Sequence, residues 1–383
     1  MKIGIVCYPT FGGSGVVATE LGKALAQQGH QIHFITYNQP VRLGSFRKNI
    51  FYHEVNISEY PLFDYPPYEL VLAGKMVDVA RHEKLDLLHV HYAIPHASAA
   101  YTAKKILENE GIHLPVVTTL HGTDITLLGK DASFEPVISF AINQSDVVTA
   151  VSESLKTDTY RQMPHVKADI RVIPNFICFE SMALPIDNDF KQSIAPNGEV
   201  ILAHTSNFRP VKRVEDVVKV FAKVRAILPA KLMLIGDGPD RYKTEELCRS
   251  LNLADDVILL GKLKNPNEAL AIADLFVLPS EIESFGLAAL EAMALSVPVI
   301  SSNTGGIPEV NIDGITGFLS NVGDVDDMAQ KALKILGNPD SLAGFKKNAR
   351  ERAQDFEITK ILPLYEDVYR DAIVLKNQPA GTP

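Results

Sequence analysis

Short apolar runs alternate with stretches of helical period along almost the whole chain. That pattern is the one expected of parallel strands joined by crossover helices, because parallel neighbours cannot be linked by a tight turn. In the first half the apolar runs predict strands near residues 3–7, 32–36, 86–90, 115–119 and 146–151. Helical spacing there predicts helices near 15–28, 68–82, 96–110, 134–144 and 152–163. The second half repeats the scheme, with strands near 200–205, 231–235, 256–260, 274–278 and 297–300. Its helices are predicted near 213–227, 240–251, 266–272, 286–295, 325–336 and 341–354. Between the halves, residues 174–198 carry Pro174, Pro185, Pro196 and Gly198 with little periodicity and read as a connection between domains. The fold class expected is therefore α/β, with two Rossmann-like domains of parallel sheet. Ligands of such sheets bind beyond the carboxyl ends of the strands, so a cleft between two facing domains is the expected site. The tail from Asn377 to Pro383 reads as frayed.

Composition narrows the choice of partner. A chain of 383 residues, 46% hydrophobic, exceeds what one core usually supports, at roughly 250–300 residues. The net charge of -9 disfavours a partner held by a broad basic surface, so neither nucleic acid nor an anionic membrane is expected. Cys7, Cys178 and Cys248 form no C-x-x-C pair, which fits a reducing compartment and suggests no zinc knot. No run of about 18 apolar residues is present. A cytoplasmic location is the expectation.

Five loops carry candidate chemistry. Phe11-Gly12-Gly13-Ser14-Gly15 lies between a predicted strand and a predicted helix, where Gly13 and Gly15 allow close backbone approach and the helix start offers N–H groups to an anion. A tight turn would use the same glycines. Gly13-x-Gly15-x-x-Ala18 also satisfies a dinucleotide fingerprint, but the second strand ends Phe34-Ile35-Thr36-Tyr37-Asn38 without the acidic residue that would hold a ribose. In Ser206-Asn207-Phe208-Arg209-Pro210-Val211-Lys212-Arg213, the side chains of Arg209 and Lys212 can reach one phosphate cluster. Ordinary surface charge suits Arg213 well. It suits Lys212 less, since a cation at a helix start opposes the helix dipole unless an anion sits there.

Glu283-Ser284-Phe285-Gly286-Leu287 leads into a helix that carries Glu291 two turns on. There Glu291 can chelate a ribose diol and Glu283 a transferred sugar, while a solvated helix position is the plain alternative for Glu291. His89, His91, His96 and His121 cluster at strand ends, but no carboxylate or thiol stands at zinc-ligand spacing beside them. His121-Gly122-Thr123-Asp124 reads as a sugar-contacting loop, with Asp124 equally able to cap a helix. Gly305-Gly306 offers further N–H donors at the start of a short helix.

Taken together, Gly13 with Gly15, Arg209 with Lys212, and the Glu283 to Glu291 segment resemble the retaining glycosyltransferases of family four, of GT-B type, across essentially the whole chain. Within that family, Leu88 to His96, Leu120 to Thr126 and Gln144 to Ser152 are similar to the branch that begins bacillithiol biosynthesis. The resemblance implies UDP-N-acetylglucosamine as donor, L-malate as acceptor, and retention at the anomeric carbon. It implies that Arg209 and Lys212 neutralise the diphosphate, that Glu291 holds the ribose, and that Glu283 with the backbone of Phe285, Gly286 and Leu287 holds sugar and phosphate. His121 would contact the transferred sugar. Gly13, Gly15 and Asn207 join the donor set, and Ser14, Tyr92 and Thr123 are the candidates for the acceptor.

The same resemblance returns the last helix, about Leu364 to Val374, to the first domain. The expected division is then 1–174 with about 364–383 for the acceptor and 175–363 for the nucleotide sugar. A related transferase with an inositol phosphate or sugar acceptor would share every donor residue, and a nicotinamide-dependent oxidoreductase and a non-catalytic sugar-nucleotide-binding protein are the alternatives of another class. No cofactor and no D-x-D metal site are expected, so the metal-free reading leaves fixed cations and backbone donors to meet the charge of departing UDP. Retention ordinarily suggests a carboxylate nucleophile. The resemblance favours front-face attack instead, and homo-oligomerisation stays open.

Overall fold

A computed structural model describes every residue except Phe11, 45–46, 58–64, 183–186 and 377–383. Phe11 of the glycine loop, Pro185 of the connection and the expected frayed tail therefore lie outside the described residues. The chain divides into two compact units, one of Met1–Asn175 with Ile358–Pro383 and one of Phe176–Glu357.

The first unit holds strands β1 (Lys2–Val6), β2 (Gln31–Thr36), β3 (Ile50–Glu54), β4 (Leu87–His91), β5 (Val116–Leu120), β6 (Val147–Ala150) and β7 (Ile170–Val172). Its helices are α1 (Gly13–Gln27), α2 (Tyr68–Glu83), α3 (Ser98–Glu108), α4 (Glu135–Gln144) and α5 (Glu153–Gln162). The strands form one parallel sheet in the order β3-β2-β1-β4-β5-β6-β7. Central strands are buried on both faces, which is why they read as unbroken apolar runs. In α1, Val17, Leu21 and Leu25 recur every fourth residue and are fully buried, so one face of the helix seals the sheet.

The second unit begins with the short helices α6 (Phe179–Met182) and α7 (Asn188–Ile194), where a connection of little structure was expected. Its sheet comprises β8 (Val200–Ser206), β9 (Ala230–Gly236), β10 (Val257–Gly261), β11 (Leu275–Leu278), β12 (Val299–Ser302) and β13 (Gly317–Ser320), all parallel, in the order β10-β9-β8-β11-β12-β13. Helices α8 (Val214–Arg225), α9 (Arg241–Ser250), α10 (Asn267–Ala271), α11 (Leu287–Ala294), α12 (Ile307–Val310), α13 (Val325–Leu336) and α14 (Pro339–Ala353) complete it. Its core joins Val217, Phe221 and Val224 of α8 to Leu232 and Leu234 of β9 and to Ala332 and Ile335 of α13.

The last helix, α15 (Ile358–Lys376), belongs to the first unit. There it buries Tyr365, Val368, Tyr369 and Ala372.

Three strands escaped the apolar pattern. β3 is an edge strand whose sequence IFYHE is largely exposed, and β7 and β13 have only three and four residues. All three lie at sheet edges; β7 is too short to leave an apolar run, and β13, though largely buried, holds only Phe318 and Leu319 as apolar side chains.

Candidate functional site

In each unit the strand order reverses once, between β1 and β4 in the first and between β8 and β11 in the second. At such a point the loops leaving two neighbouring strands diverge to opposite faces, opening a crevice at the carboxyl edge of the sheet. The candidate residues of each unit gather at its own reversal point.

In the second unit the β8 loop turns through a single 3-10 turn, Pro210–Lys212, before Arg213 takes a left-handed conformation and α8 begins. Asn207 and Arg209 are exposed, and among the described residues Arg209 has no ion-pair partner. Arg213 is half-buried and engaged at 2.6 Å with the buried carboxylate of Asp216, which is more than the ordinary surface charge its position suggested. Lys212 Nζ donates to Glu283 Oε2 at 2.6 Å, with 22% and 17% of the two side chains exposed. Ser280 Oγ also donates to that oxygen at 3.3 Å. Two residues 71 positions apart thus become one charged pair at the reversal point.

The Glu283 loop is held from behind by glycines. Gly305 has φ +55°, and a Cβ there would lie 1.9 Å from the Glu283 carbonyl oxygen; one on Gly306 would lie 2.3 Å from the Ser284 carbonyl oxygen. Gly306 N–H donates to the Glu283 carbonyl at 2.9 Å. This corrects the expectation for the glycine pair: the Gly306 amide shapes the Glu283 loop and is not left over for a ligand. Phe285 is buried against Phe356 with ring centroids 5.6 Å apart. Gly286, at φ +97°, turns the chain into α11. Leu290 N–H is bonded to the Gly286 carbonyl, so the amides of Leu287, Ala288 and Ala289 precede the first helical bond, the usual anion-facing groups of a helix start. Glu291 is only 7% exposed, which removes the reading of a solvated helix position.

The sequence reading missed one loop that shapes this site. Gly236 (φ +126°) and Gly238 lie so close to the β8 loop that a Cβ on them would come within 1.8 Å of the Ser206 carbonyl oxygen and 2.0 Å of the Asn207 carbonyl oxygen. Asp240 N–H donates to the Phe208 carbonyl at 2.9 Å. The signal was present as Gly236-Asp237-Gly238-Pro239 directly after a strand.

Two D-x-D triplets also stand in the sequence, Asp187-Asn188-Asp189 and Asp324-Val325-Asp326, contrary to the expectation of none. Both are helix starts: Asp187 accepts the Phe190 amide at 2.9 Å and Asp324 the Asp327 amide at 3.0 Å. The first carboxylate of each triplet is thus an N-cap, and Asp326 of the second is ion-paired with Lys223.

In the first unit, Gly13 opens α1 and is exposed, whereas Gly15 is buried with space for no side chain. A Cβ on Gly15 would stand 2.5 Å from the Tyr8 carbonyl oxygen and 2.7 Å from that of Thr10, so this glycine serves close packing of its own loop. Tyr92, in the loop after β4 and at φ +88°, donates its hydroxyl proton to Ser14 Oγ at 2.9 Å, joining the two loops of the reversal point. Thr123 is exposed in the loop that follows β5.

Asp124 is not a helix cap. Its carboxylate is buried and accepts the amides of Ala93 at 2.8 Å and Gly122 at 3.2 Å, tying the β4 and β5 loops together. Burial pushes its pKa up to about 6, against the backbone amides that favour the charged form.

The histidines form a hydrogen-bonded stack below these loops. His89 Nδ1 meets the Tyr369 hydroxyl at 2.8 Å and its Nε2 the Thr119 hydroxyl at 2.7 Å. His91 Nδ1 meets His121 Nε2 at 2.8 Å, so one of those two nitrogens carries the shared proton. His96 Nδ1 is bonded to the His91 carbonyl oxygen. Burial lowers His121 and His89 to about 3 and His96 to about 4, and holds His91 well below its usual range. All four are uncharged at neutral pH. His121 therefore faces its loop as a neutral hydrogen-bonding group and not as a cation.

Residues 11–180 match the family model of Glycosyltransferase Family 4, and residues 185–352 that of Glycosyl transferases group 1. The chain is 49% identical to N-acetyl-alpha-D-glucosaminyl L-malate synthase of Bacillus anthracis, with 97% of each chain covered. The chain belongs to the family-four glycosyltransferases, of GT-B fold. Solved structures share that fold: sucrose-phosphate synthase of Thermosynechococcus elongatus superposes with a TM-score of 0.80 at 23% identity over 98% of this chain and 100% of its own. Anabaena HepE, in complex with UDP and glucose, gives 0.81 at 19% identity over 97% and 99%. Family membership ends the nicotinamide reading of Gly13-x-Gly15-x-x-Ala18. Among the described residues of this transferase, no helix is long and apolar enough to cross a membrane.

Proposed function

We propose that this glycosyltransferase moves N-acetylglucosamine from UDP-N-acetylglucosamine to the hydroxyl of L-malate, with retention and without a metal ion, as the first step of bacillithiol biosynthesis. The relationship to the Bacillus anthracis synthase over 97% of both chains carries this reading. In the reaction, the bond from the anomeric carbon to the UDP oxygen breaks and one to the malate oxygen forms. The malate hydroxyl proton passes to the leaving phosphate, and UDP departs.

The residues of the second unit suit the donor. Arg209 and Lys212 meet the charge that grows on the diphosphate, and the first amides of α11, with the backbone of Phe285, Gly286 and Leu287, add fixed dipoles. Asn207 stands beside Arg209 in the same loop. Glu291 accepts the ribose hydroxyls, and Glu283, already oriented by Lys212, accepts hydroxyls of the sugar. In the first unit, neutral His121 bonds the transferred sugar, and exposed Gly13 approaches the donor backbone to backbone. Ser14, Tyr92 and Thr123 bond the malate carboxylates. Gly15 acts indirectly, by letting the loop that carries Ser14 fold back on Tyr8 and Thr10.

The metal-free reading rests on the two cations and the helix-start amides, with Asp187 and Asp324 of the D-x-D triplets engaged as helix caps. The test is UDP release from UDP-N-acetylglucosamine, comparing L-malate, an inositol phosphate and no acceptor, each with and without EDTA. Release stimulated by malate alone, unaffected by EDTA and giving an α-linked product by NMR, is expected. Stimulation by inositol phosphate instead would move the acceptor assignment, and an inverted product would end the retaining one.

A further inference from the structure

We propose that His33, His53 and Glu83 form a binding site for one divalent first-row transition ion of the zinc class at the edge of the first unit's sheet. His33 sits within β2 and His53 within the edge strand β3. The register pairs His33 with Phe51 and Ile35 with His53, so the two imidazoles are diagonal neighbours on one face. Their rings are stacked, with centroids 5.2 Å apart and planes 19° from parallel, and His33 Nδ1 lies 2.9 Å from His53 Nε2. Glu83, the last residue of α2, brings a carboxylate to the same place. One ligand atom from each of the three lies within 4.8 Å of the other two.

A tetrahedral ion with bonds of about 2.0–2.2 Å spaces its ligand atoms roughly 3.3–3.6 Å apart, so side-chain adjustment alone closes the site. Two imidazoles and a carboxylate are a donor set that zinc accepts, with a fourth position for water.

The other ring nitrogen of His33 is unsatisfied. His33 is fully buried, and its Nε2 has no hydrogen-bond partner among the described residues. Buried polar atoms are seldom left so. Lys2 opposes the site: its ammonium donates to the Glu83 carbonyl at 2.8 Å. The Glu83 carboxylate offsets that charge, and binding is weaker than in a cage without a nearby cation.

The location assigns a structural role. Glu83 precedes the amino end of β4, and its carbonyl is held by the first residue of β1. The candidate sugar-transfer residues follow the carboxyl ends of β1, β4 and β5. The ion would clip the edge strand β3 to β2 and α2, leaving the transfer chemistry alone.

The test uses the full-length, tag-free, metal-stripped protein titrated with Co²⁺ and then with Zn²⁺. Expected are visible d–d bands saturating at one Co²⁺ per chain, their loss on adding Zn²⁺, and a melting temperature raised by Zn²⁺. In His53→Ala and in Glu83→Gln, Co²⁺ affinity should fall at least tenfold and the Zn²⁺ shift should vanish. Unliganded melting curves verify that both variants fold. UDP release should be the same in all three proteins. Absence of Co²⁺ bands, equal binding by both variants, or a near-ultraviolet thiolate band pointing to Cys7, Cys178 or Cys248 would overturn the proposal.

Discussion

Lys212→Met separates the two roles that the Lys212 ammonium can play. The ammonium stands 2.6 Å from Glu283 Oε2, with about a fifth of each side chain exposed. Such a pair lies between surface bridges, worth about 0–1 kcal/mol, and buried ones, whose breakage costs about 3–5 kcal/mol. A stability loss of about 1–2 kcal/mol follows, since Ser280 and solvent still serve the carboxylate. The effect on transfer is larger if the same cation meets the diphosphate. Removing one fixed donor from a developing oxyanion costs about 2.7–4 kcal/mol, roughly a hundred- to thousandfold in kcat. The affinity for UDP should also fall, by roughly 30–150-fold for about 2–3 kcal/mol.

The control is Glu283→Gln, which removes the pair and keeps the cation. It should bind UDP nearly as well as the wild type while transferring sugar poorly. Calorimetry with UDP and a UDP-release assay read both quantities, and the double variant closes a cycle. UDP affinity within threefold of wild type in Lys212→Met would refute the diphosphate role. So would equal weakening of UDP binding in Lys212→Met and Glu283→Gln, because the lysine would then act only by positioning the glutamate.

Gly305→Ala places a methyl group 1.9 Å from the Glu283 carbonyl, at a φ that disfavours any side chain, so kcat for UDP release should drop at least tenfold; an unchanged rate would mean the loop yields freely. Asp124→Asn removes a carboxyl whose folded pKa, about 6, is raised above its ordinary value of 3.8. The protonated form is therefore favoured by folding. That stabilisation, about 3 kcal/mol, is full below pH 4 and is lost as pH rises through 6, so the wild-type advantage in melting temperature should shrink over this window. A gap constant from pH 4 to 7 would contradict the raised value. Tyr369→Phe deprives His89 Nδ1 of its 2.8 Å partner and should cost about 1–2 kcal/mol, seen as a lower melting temperature with UDP affinity intact.

Much of this architecture is written locally. The apolar runs at Ile3 to Val6, Leu275 to Leu278 and Val299 to Ile300 announce doubly covered strands, because burial on both faces leaves no polar alternate positions. The residues that line the reversal points were also visible, since loops between a strand and a helix need glycine or an exposed cation whatever the distant partner. Ser14, Tyr92, Arg209, Lys212 and Glu283 stand in such loops, while Glu291 was named from its place two turns into the following helix. Edge strands such as β3 were not visible, having one face or none in the core. The capping work of Asp187 and Asp324 went unread because its partners are backbone amides that carry no mark in the side-chain sequence.

Strand order lay beyond that local signal. Which strand neighbours β1 depends on the total burial gained by the whole sheet, and only that order sets Ser14 beside Tyr92 and Lys212 beside Glu283. The same holds for α15, whose Tyr369 reaches His89 across 280 residues of sequence. Periodicity fixes what each segment can become, because it is decided within a few turns of backbone. Contact between distant segments is decided by packing, which no single segment contains.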